Sequence, residues 1–273
     1  MAEHGYIMEH PEEAYRLDLK TDRERLIQQA TWAGLRPGMR VLDLGCGSGK
    51  TTAFFQEFVQ PGGSVVGFDS SAERIDHARN LYAGGGAEFV CGNFYEPLDA
   101  LGEFDFIWVR FVLEYHRRGA FDIVRNVAKN LKQGGILCLA DLDHNSLNHY
   151  GISPRLERAM LGIMQSLSER NFDPQVGRKL YAFLFDLGFS EIRADMLAHH
   201  LIYGQLNDVD EYNWKKKVEI SAVRSCYDFP EYPGGVGGFL DEFQDFFASP
   251  RRFTYTPLIL VRGVKPSSAV DLI

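Results

Sequence analysis

Apolar runs of strand length alternate with polar stretches of helical spacing through the first half of the chain. The runs occupy residues 41–44, 64–69, 87–91, 104–110 and 136–142. Strands that are covered on both faces are nearly continuous in apolar residues, and their alternation with helices is typical of a parallel sheet. The pattern therefore predicts an α/β fold in which helices cover both faces of a twisted sheet.

The second half of the chain continues this pattern with a long interruption. Two helices and two further strands are predicted, at residues 153–170, 176–187, 191–203 and 252–262. Pro257 lies within the last run, and proline lacks the N–H group that a central strand donates, so this strand is predicted at an edge of the sheet. Between the two strands, residues 205–250 are rich in aromatic side chains and contain a glycine-rich break at residues 233–238.

Three kinds of ligand site match parts of the glycine-dense loop that follows the first strand. A phosphate-binding P-loop ends in Gly-Lys-Thr, as here at residues 49–51, but it needs a further glycine where this chain has Leu44. The dinucleotide-binding pattern Gly-x-Gly-x-x-Gly has Lys50 at its third glycine position, which weakens an NAD site without excluding it. The third pattern is an acidic residue followed by Gly-x-Gly-x-Gly, and its members here are Asp43, Gly45, Gly47 and Gly49.

This third pattern resembles motif I of the class I S-adenosylmethionine-dependent methyltransferases, whose loop holds the amino-acid end of the cofactor. Asp69 ends the second strand at about the spacing of a carboxylate that binds ribose hydroxyls. The Phe-Asp start of the fourth strand, the Leu-Glu-Tyr-His segment at residues 113–116 and the Lys-Gln-Gly-Gly segment at residues 132–135 resemble further motifs of the family. The resemblance covers residues 36–143 and points to the small-molecule members, with a motif set like that of the menaquinone methyltransferases.

The resemblance implies that S-adenosylmethionine binds at the carboxyl ends of the strands and that S-adenosylhomocysteine is the product. Asn93 stands where the family often has an aspartate that contacts adenine, and an asparagine oxygen also accepts hydrogen bonds. Tyr6 is expected near the sulfonium or the carboxylate of the cofactor, and Arg16 is expected to pair with that carboxylate. The full set of expected cofactor contacts is Tyr6, Arg16, Asp43, Gly45, Cys46, Gly47, Asp69, Ser70, Arg74, Asn93, Phe94 and Arg110, the last through its neighbouring backbone.

The implied fold is a seven-stranded, mostly parallel, doubly wound sheet of the Rossmann-like type, with one antiparallel strand near the edge and a helical cap. Residues 1–40 are expected to form a helical extension that closes over the cofactor, and residues 41–204 and 251–264 to form the core. Residues 205–250 are expected to form the cap. Ligands of open α/β sheets bind beyond the carboxyl ends of the strands, where this cap begins, so a few of its aromatic residues are expected to face a substrate.

Composition narrows the range of partners. The net charge of −8 disfavours binding to nucleic acid, which depends on cationic side chains. The lysine triplet at residues 215–217 is predicted to be a solvated helix face. Four scattered cysteines, the lack of an apolar run of membrane-spanning length and an N-terminus without the features of a signal peptide favour a cytoplasmic protein with no membrane partner. A monomer or a homodimer is expected.

Methyl transfer from a sulfonium is an in-line displacement that requires alignment of the reacting atoms, and a general base is needed only if the acceptor carries a proton. His116, after the fourth strand, is the candidate base, and its alternative role is to line the cofactor pocket. Asp141, Asp143 and His144 follow the fifth strand, but the carboxylate partner expected after the fourth is not clearly placed, so no metal is expected.

These observations predict a methyltransferase that acts on a small apolar or aromatic acceptor. The alternatives are an NAD-dependent oxidoreductase and a protein that binds S-adenosylmethionine without catalysis. A protein or RNA methyltransferase is disfavoured by the acidic charge and the aromatic cap.

Overall fold

The structure is a computed structural model that describes residues 22–82 and 84–266. Its first half alternates helices and strands in the predicted way. The elements are α1 Arg23–Ala33, β1 Arg40–Leu44, α2 Lys50–Phe58, β2 Ser64–Asp69, α3 Ala72–Leu81, β3 Glu88–Cys91, β4 Phe104–Arg110, α4 Ala120–Ala128 and β5 Leu131–Leu142. The second half contains β6 His149–Tyr150, α5 Pro154–Glu169, α6 Leu180–Asp186, β7 Ser190–Tyr203, α7 Asp208–Ser225, α8 Gly235–Ala248 and β8 Phe253–Val264.

All strands belong to one sheet, in which the seven longer strands follow the order β3-β2-β1-β4-β5-β8-β7. The pairs from β3 to β5 are parallel, whereas β8 runs antiparallel to both of its neighbours, β5 and β7. The two-residue strand β6 pairs with the start of β8 as an eighth strand. The predicted Rossmann-like sheet, mostly parallel with one antiparallel strand near its edge, is therefore confirmed.

The prediction that Pro257 lies in an edge strand is wrong. Its strand, β8, is held between β5 and β7, and the edge is formed by β7 instead. The register of β7 shifts between Ala198 and His200, opposite Pro257, so the ladder is irregular where the proline cannot donate. The carbonyl oxygen of Pro257 still accepts a hydrogen bond from the N–H of Asp143 at 3.0 Å. A bulge thus accommodates a proline within the sheet.

Apolar side chains cover both faces of the sheet and form a separate core in the second half of the chain. One sheet face packs against α4 and α6, and the other packs against α1 and α2. Helices α5, α7 and α8 share their own aromatic core, which includes Trp214, Phe239 and Phe243. The cap therefore includes α5 as well as α7 and α8 from the predicted residues 205–250, and the name refers to these three helices below. Among the residues described, no helix is both long and apolar enough to cross a membrane.

Local sequence determines where the cap helices begin. The side-chain oxygen of Ser153 accepts a hydrogen bond from the N–H of Leu156 at 3.1 Å at the start of α5. Asn207 does the same for Asp210 at 2.8 Å at the start of α7, whose first turn is acidic. Such N-caps satisfy free N–H groups, and the acidic turn complements the positive end of the helix dipole.

Candidate functional site

The glycine loop between β1 and α2 has a backbone conformation and close contacts that larger side chains would disturb. Gly45, Gly47 and Gly49 all have positive φ angles, of 79°, 55° and 88°. A Cβ atom added to Gly45 would lie 2.2 Å from Cγ2 of Val112, in the turn that follows β4. The N–H groups of Gly45 and Cys46 donate to the carbonyl oxygen of Phe68 at 2.7 and 3.1 Å. The loop is therefore pressed between the ends of β2 and β4, with little room for side chains.

Asp69, at the end of β2, holds this loop in place. The residue is only 4% exposed. One oxygen accepts the N–H of Gly47 at 2.9 Å, and the other accepts the N–H of Ser71 at 2.9 Å and the guanidinium of Arg74 at 3.0 Å. One carboxylate thus connects the glycine loop to the start of α3, at the edge of the sheet where ligands of such folds bind.

Cys46 and Ser70 lie beside the Asp69 carboxylate, and the surroundings of Cys46 do not activate its thiol. The Cys46 thiol is buried, and burial raises its pKa well above the ordinary value. Its sulfur contacts the carbonyl oxygen of Gly47 at 4.0 Å. Ser70 is exposed, and its carbonyl oxygen lies 3.8 Å from the Cys91 sulfur. A protonated, buried thiol packs as a small apolar group rather than reacting.

Asp43 lies beneath the loop and is 3% exposed. Its carboxylate accepts a hydrogen bond from the Thr52 hydroxyl at 2.7 Å, which ties β1 to α2. Burial raises the pKa of Asp43 to about 7, against the lowering effects of Thr52 and the positive charge of Arg110. The side chain is therefore poised between its charged and neutral forms near pH 7.

The turn after β3 forms one side of the site. Phe94 is buried, and its ring packs on Phe68 with centroids 5.9 Å apart. Asn93 is exposed, and its side-chain oxygen accepts the N–H of Tyr95 at 3.0 Å within its own turn. That oxygen has a second lone pair for a ligand.

His116 packs beside this turn. Its ring lies edge-on to Phe94, with centroids 5.6 Å apart, and its Nδ1 shares a hydrogen bond with the Tyr95 hydroxyl at 2.9 Å. Burial lowers the pKa of His116 to about 4. The imidazole is therefore neutral at pH 7 and able to accept a proton. Its packing against Phe94 also suits a residue that lines a pocket.

A buried polar network joins the ends of β4 and β5 to the cap. Asp141 accepts the N–H groups of Leu113 and Glu114 at 2.9 and 3.2 Å. The Glu114 carboxylate accepts the Asn145 side-chain amide at 2.7 Å, and the Asn145 oxygen accepts a hydrogen bond from the Lys217 ammonium of α7. Burial and the charge of Glu114 raise the pKa of Asp141 well above its ordinary value.

Lys217 corrects the prediction that the lysine triplet is only a solvated helix face. Lys215 is exposed, but Lys217 is partly buried and its ammonium lies 4.9 Å from the centroid of the Trp214 ring. Trp214 and Lys217 are three residues apart and so share one helix face. That spacing is the sequence signal by which an inward-facing lysine could have been distinguished.

A row of rings runs from the end of β4 into the cap. Phe111 lies 5.0 Å from His199, His199 lies 4.2 Å from His200, and His200 lies 5.2 Å from Trp214, all between ring centroids. His149 packs on the other edge of Trp214 at 5.5 Å. Trp214 belongs to the aromatic segment that was expected to face a substrate in part. His199 and His200 were not identified from the sequence, because their positions depend on the register of β7 with β8.

Asp143 has an ion-pair partner of its own. The guanidinium of Arg178 binds its two oxygens at 2.9 and 2.8 Å. Within residues 22–82 and 84–266, no group of three or more His, Cys, Asp or Glu side chains is arranged to hold a metal ion. Tyr6 and Arg16, two of the expected cofactor contacts, lie outside the described residues.

Comparisons with known proteins place this fold and loop in a family. A methyltransferase-domain profile matches residues 41–135. An uncharacterized methyltransferase of Synechocystis is 31% identical over 167 residues, which cover 60% of this chain and 73% of that protein. A probable cobalt-precorrin-6B C(15)-methyltransferase of Thermoplasma acidophilum is 38% identical over 93 residues, which cover 33% of this chain. The match spans only 46% of that second relative.

Solved structures share the same architecture. The YcgJ protein of Bacillus subtilis superposes with a TM-score of 0.59 at 19% identity, over 90% of this chain and all of that one. The chain belongs to the class I S-adenosylmethionine-dependent methyltransferases. Its cofactor is therefore S-adenosylmethionine, which becomes S-adenosylhomocysteine when the methyl group leaves.

Donor binding is expected to be coupled to ionisation of Asp43. S-adenosylmethionine carries a sulfonium and an ammonium group, which favour the charged carboxylate and lower its pKa from about 7. Affinity should therefore rise with pH, and it should be roughly tenfold weaker at pH 6 than at pH 8. Calorimetry across this range measures the effect.

The Asp43→Asn variant is the control for this pH dependence, because it cannot ionise. It should bind the donor with an affinity that is flat over the same range. An equally steep profile in that variant would assign the effect to another group.

Proposed function

We propose that the protein transfers the methyl group of S-adenosylmethionine, by in-line displacement, to a small apolar or aromatic acceptor held beneath the cap. The observation that carries this proposal is the row of rings from Phe111 to Trp214. It begins beside Val112, the residue that contacts the glycine loop, and ends within the cap. A flat apolar acceptor fits such a lining, because aromatic rings pack well on one another.

The donor end of this site is proposed to lie over the glycine loop. Gly45, Gly47 and Asp69 are proposed to hold the methionine and ribose portions, with Asn93 and Phe94 beside the adenine. The half-buried glycine backbone, the buried carboxylate and the apolar Phe94 ring suit the methionine, ribose and adenine portions in turn. Of the predicted N-terminal extension, residues 1–21 lie outside the described residues, and α1 packs against one face of the sheet. Residues 205–250 are proposed to close over the acceptor.

The residues of the cap, and not the relatives, support the proposed acceptor. The family profile matches residues 41–135, which end before the cap. The match to the Thermoplasma protein spans only 46% of that protein, so the acceptor in its name is not transferred to this chain. The net charge of −8 supports a small molecule over a nucleic acid.

His116 is proposed as the base if the acceptor donates a proton. Its pKa of about 4 makes it a weak base, and its neutral ring has one nitrogen committed to Tyr95. An acceptor that is already ionised, or a carbon nucleophile of an enolate, needs no such base.

The proposal is tested first with the unmodified protein. S-adenosylhomocysteine should bind in calorimetry with micromolar affinity, and a panel of phenols, quinols and aromatic acids should contain a molecule that is methylated. Binding of NAD in place of S-adenosylhomocysteine would contradict the proposal. Tight donor binding with no turnover across the panel would support the alternative of a non-catalytic binding protein.

Two lysines of α7 provide a matched pair of variants for the cap. Lys217→Met should lower kcat/KM for the acceptor by about tenfold, because the Asn145 side chain, which donates to Glu114, loses its charged partner. The affinity for S-adenosylhomocysteine should change less than about twofold, since the contact lies outside the donor loop. Lys215→Met, on the exposed side of the same helix, should leave both quantities unchanged.

A further inference from the structure

We propose that the side chain of Arg110 is an oxyanion-binding group at the junction of the donor and acceptor sites, and that it takes a carboxylate or phenolate of the bound ligand. This inference rests on the proposed function, because it assumes that ligands lie on both sides of the turn after β4. It adds a side-chain role to a residue expected to contribute only backbone.

The first observation is that no carboxylate of residues 22–82 and 84–266 forms an ion pair with this guanidinium. Among the residues that the structure describes, it forms neither an ion pair nor a hydrogen bond, and its Nε atom is buried without an acceptor. It stacks on the ring of Phe111, whose centroid lies 4.2 Å from Cζ. Arg110 is half-buried, and a partly desolvated guanidinium that no carboxylate contacts directly is stabilised when a ligand oxyanion binds it.

The carboxylates near Arg110 accept hydrogen bonds from other groups. Asp43 accepts the Thr52 hydroxyl, and Asp141 accepts the N–H groups of Leu113, Glu114 and Leu142. Both support the charge of Arg110 through space without pairing with it. Burial lowers the pKa of Arg110 to about 10, so the group is still positively charged at pH 7. The site therefore offers a persistent positive charge.

The backbone orients this charge at a conformational cost. Phe111 has a φ angle of 57°, in the left-handed region that a phenylalanine rarely occupies. Its N–H donates to the carbonyl oxygen of Ala140 at 3.0 Å, which fixes the ring against the guanidinium. Such backbone strain is concentrated at functional sites. A stacked guanidinium presents its N–H groups in its own plane, which suits bidentate binding of a carboxylate.

The position of Arg110 connects the two ligands. It ends β4 in register with Ala140, and the next two residues contact His199 of the ring row and Gly45 of the glycine loop. Two oxyanions suit this position: the carboxylate on the methionine portion of the donor, and an acidic oxygen on the acceptor. The guanidinium can donate hydrogen bonds from its N–H groups to either of these oxyanions.

The test compares Arg110→Gln with the unmodified protein by calorimetry, using three probes. These are S-adenosylhomocysteine, its decarboxylated analogue, and benzoate added to protein saturated with S-adenosylhomocysteine. If the donor carboxylate is the ligand, the variant should lose about 30-fold in affinity for S-adenosylhomocysteine and almost none for the decarboxylated analogue. If the acceptor supplies the oxyanion, only benzoate binding should be lost.

Two outcomes would overturn the inference. Equal losses for S-adenosylhomocysteine and its decarboxylated analogue would indicate a structural role for Arg110, and unchanged binding of all three probes would indicate no ligand role. Arg110→Lys keeps the charge and should retain part of the lost affinity, while Arg125→Gln removes an exposed guanidinium paired with Asp122 and should change nothing. If the unmodified protein fails to bind S-adenosylhomocysteine, the proposed function fails instead.

Discussion

Replacing Asp69 by alanine is expected to weaken the binding of S-adenosylhomocysteine by about 100-fold or more. The carboxylate accepts hydrogen bonds from Gly47 in the glycine loop and from Ser71 at the start of α3. Its removal also leaves the Arg74 guanidinium, which is largely buried, without this ion pair. The loop then loses its fixed position, and the proposed ribose contact is lost with it. Calorimetry measures the change directly.

Two variants provide controls for this result. Asp69→Asn keeps one acceptor oxygen and removes the charge, so its loss of affinity should be intermediate. Asp76→Ala removes a carboxylate from the exposed side of the neighbouring helix, where it pairs with Arg79, and should leave binding unchanged. An Asp69→Ala variant that binds within about threefold of the unmodified protein would refute the assignment of this carboxylate to the donor site.

Replacing Gly45 by alanine is expected to abolish measurable donor binding and to lower the free energy of unfolding by about 2–4 kcal/mol. The added Cβ would lie 2.2 Å from Cγ2 of Val112, and the residue has a φ angle of 79°. Relief of this overlap requires the loop to move away from β4, which displaces the backbone that faces the methionine portion of the donor. Chemical denaturation and calorimetry measure the two effects separately.

Gly38 provides a matched control, because it has a similar φ angle of 83° with nothing within 4 Å of an added Cβ. Gly38→Ala should show only the conformational cost of about 1 kcal/mol and normal donor binding. Adding Val112→Ala to the Gly45→Ala variant removes the methyl group in the way and should restore part of the affinity. If Gly45→Ala behaved like Gly38→Ala, the close approach of the loop to β4 would have no functional role.

The donor half of the fold was predictable because its signals are local. The limits of β2 and β4 follow from apolar runs that end at Asp69 and Arg110, and both limits are confirmed. The glycines of the loop are separated by single residues because the backbone there needs positive φ angles at alternate positions. Each of these features depends on residues that are neighbours in sequence.

The missed features depend on contacts between distant residues. Pro257 indicates an edge strand by its own chemistry, but the bulge opposite it in β7 is a property of strand register. Lys217 was assigned to solvent because its partner, Asn145, is 72 residues away. Within the described part of the chain, Arg110 has no ion pair because Asp43 and Asp141 accept hydrogen bonds from other groups. Spacing along the chain does not reveal these partners.

The junction between the cap and the sheet bears on how this enzyme can change over evolution. Tyr203 and Phe253, the residues on either side of helices α7 and α8, are paired neighbours in the sheet. Just inside them, Arg252 is 2% exposed and donates hydrogen bonds to the carbonyl oxygens of Gly204 and Ser249. The inserted segment thus leaves and rejoins the sheet at one point, as a hairpin loop does. A segment joined to the sheet in this way can be lengthened, shortened or exchanged in evolution without disturbing the strands that carry the glycine loop.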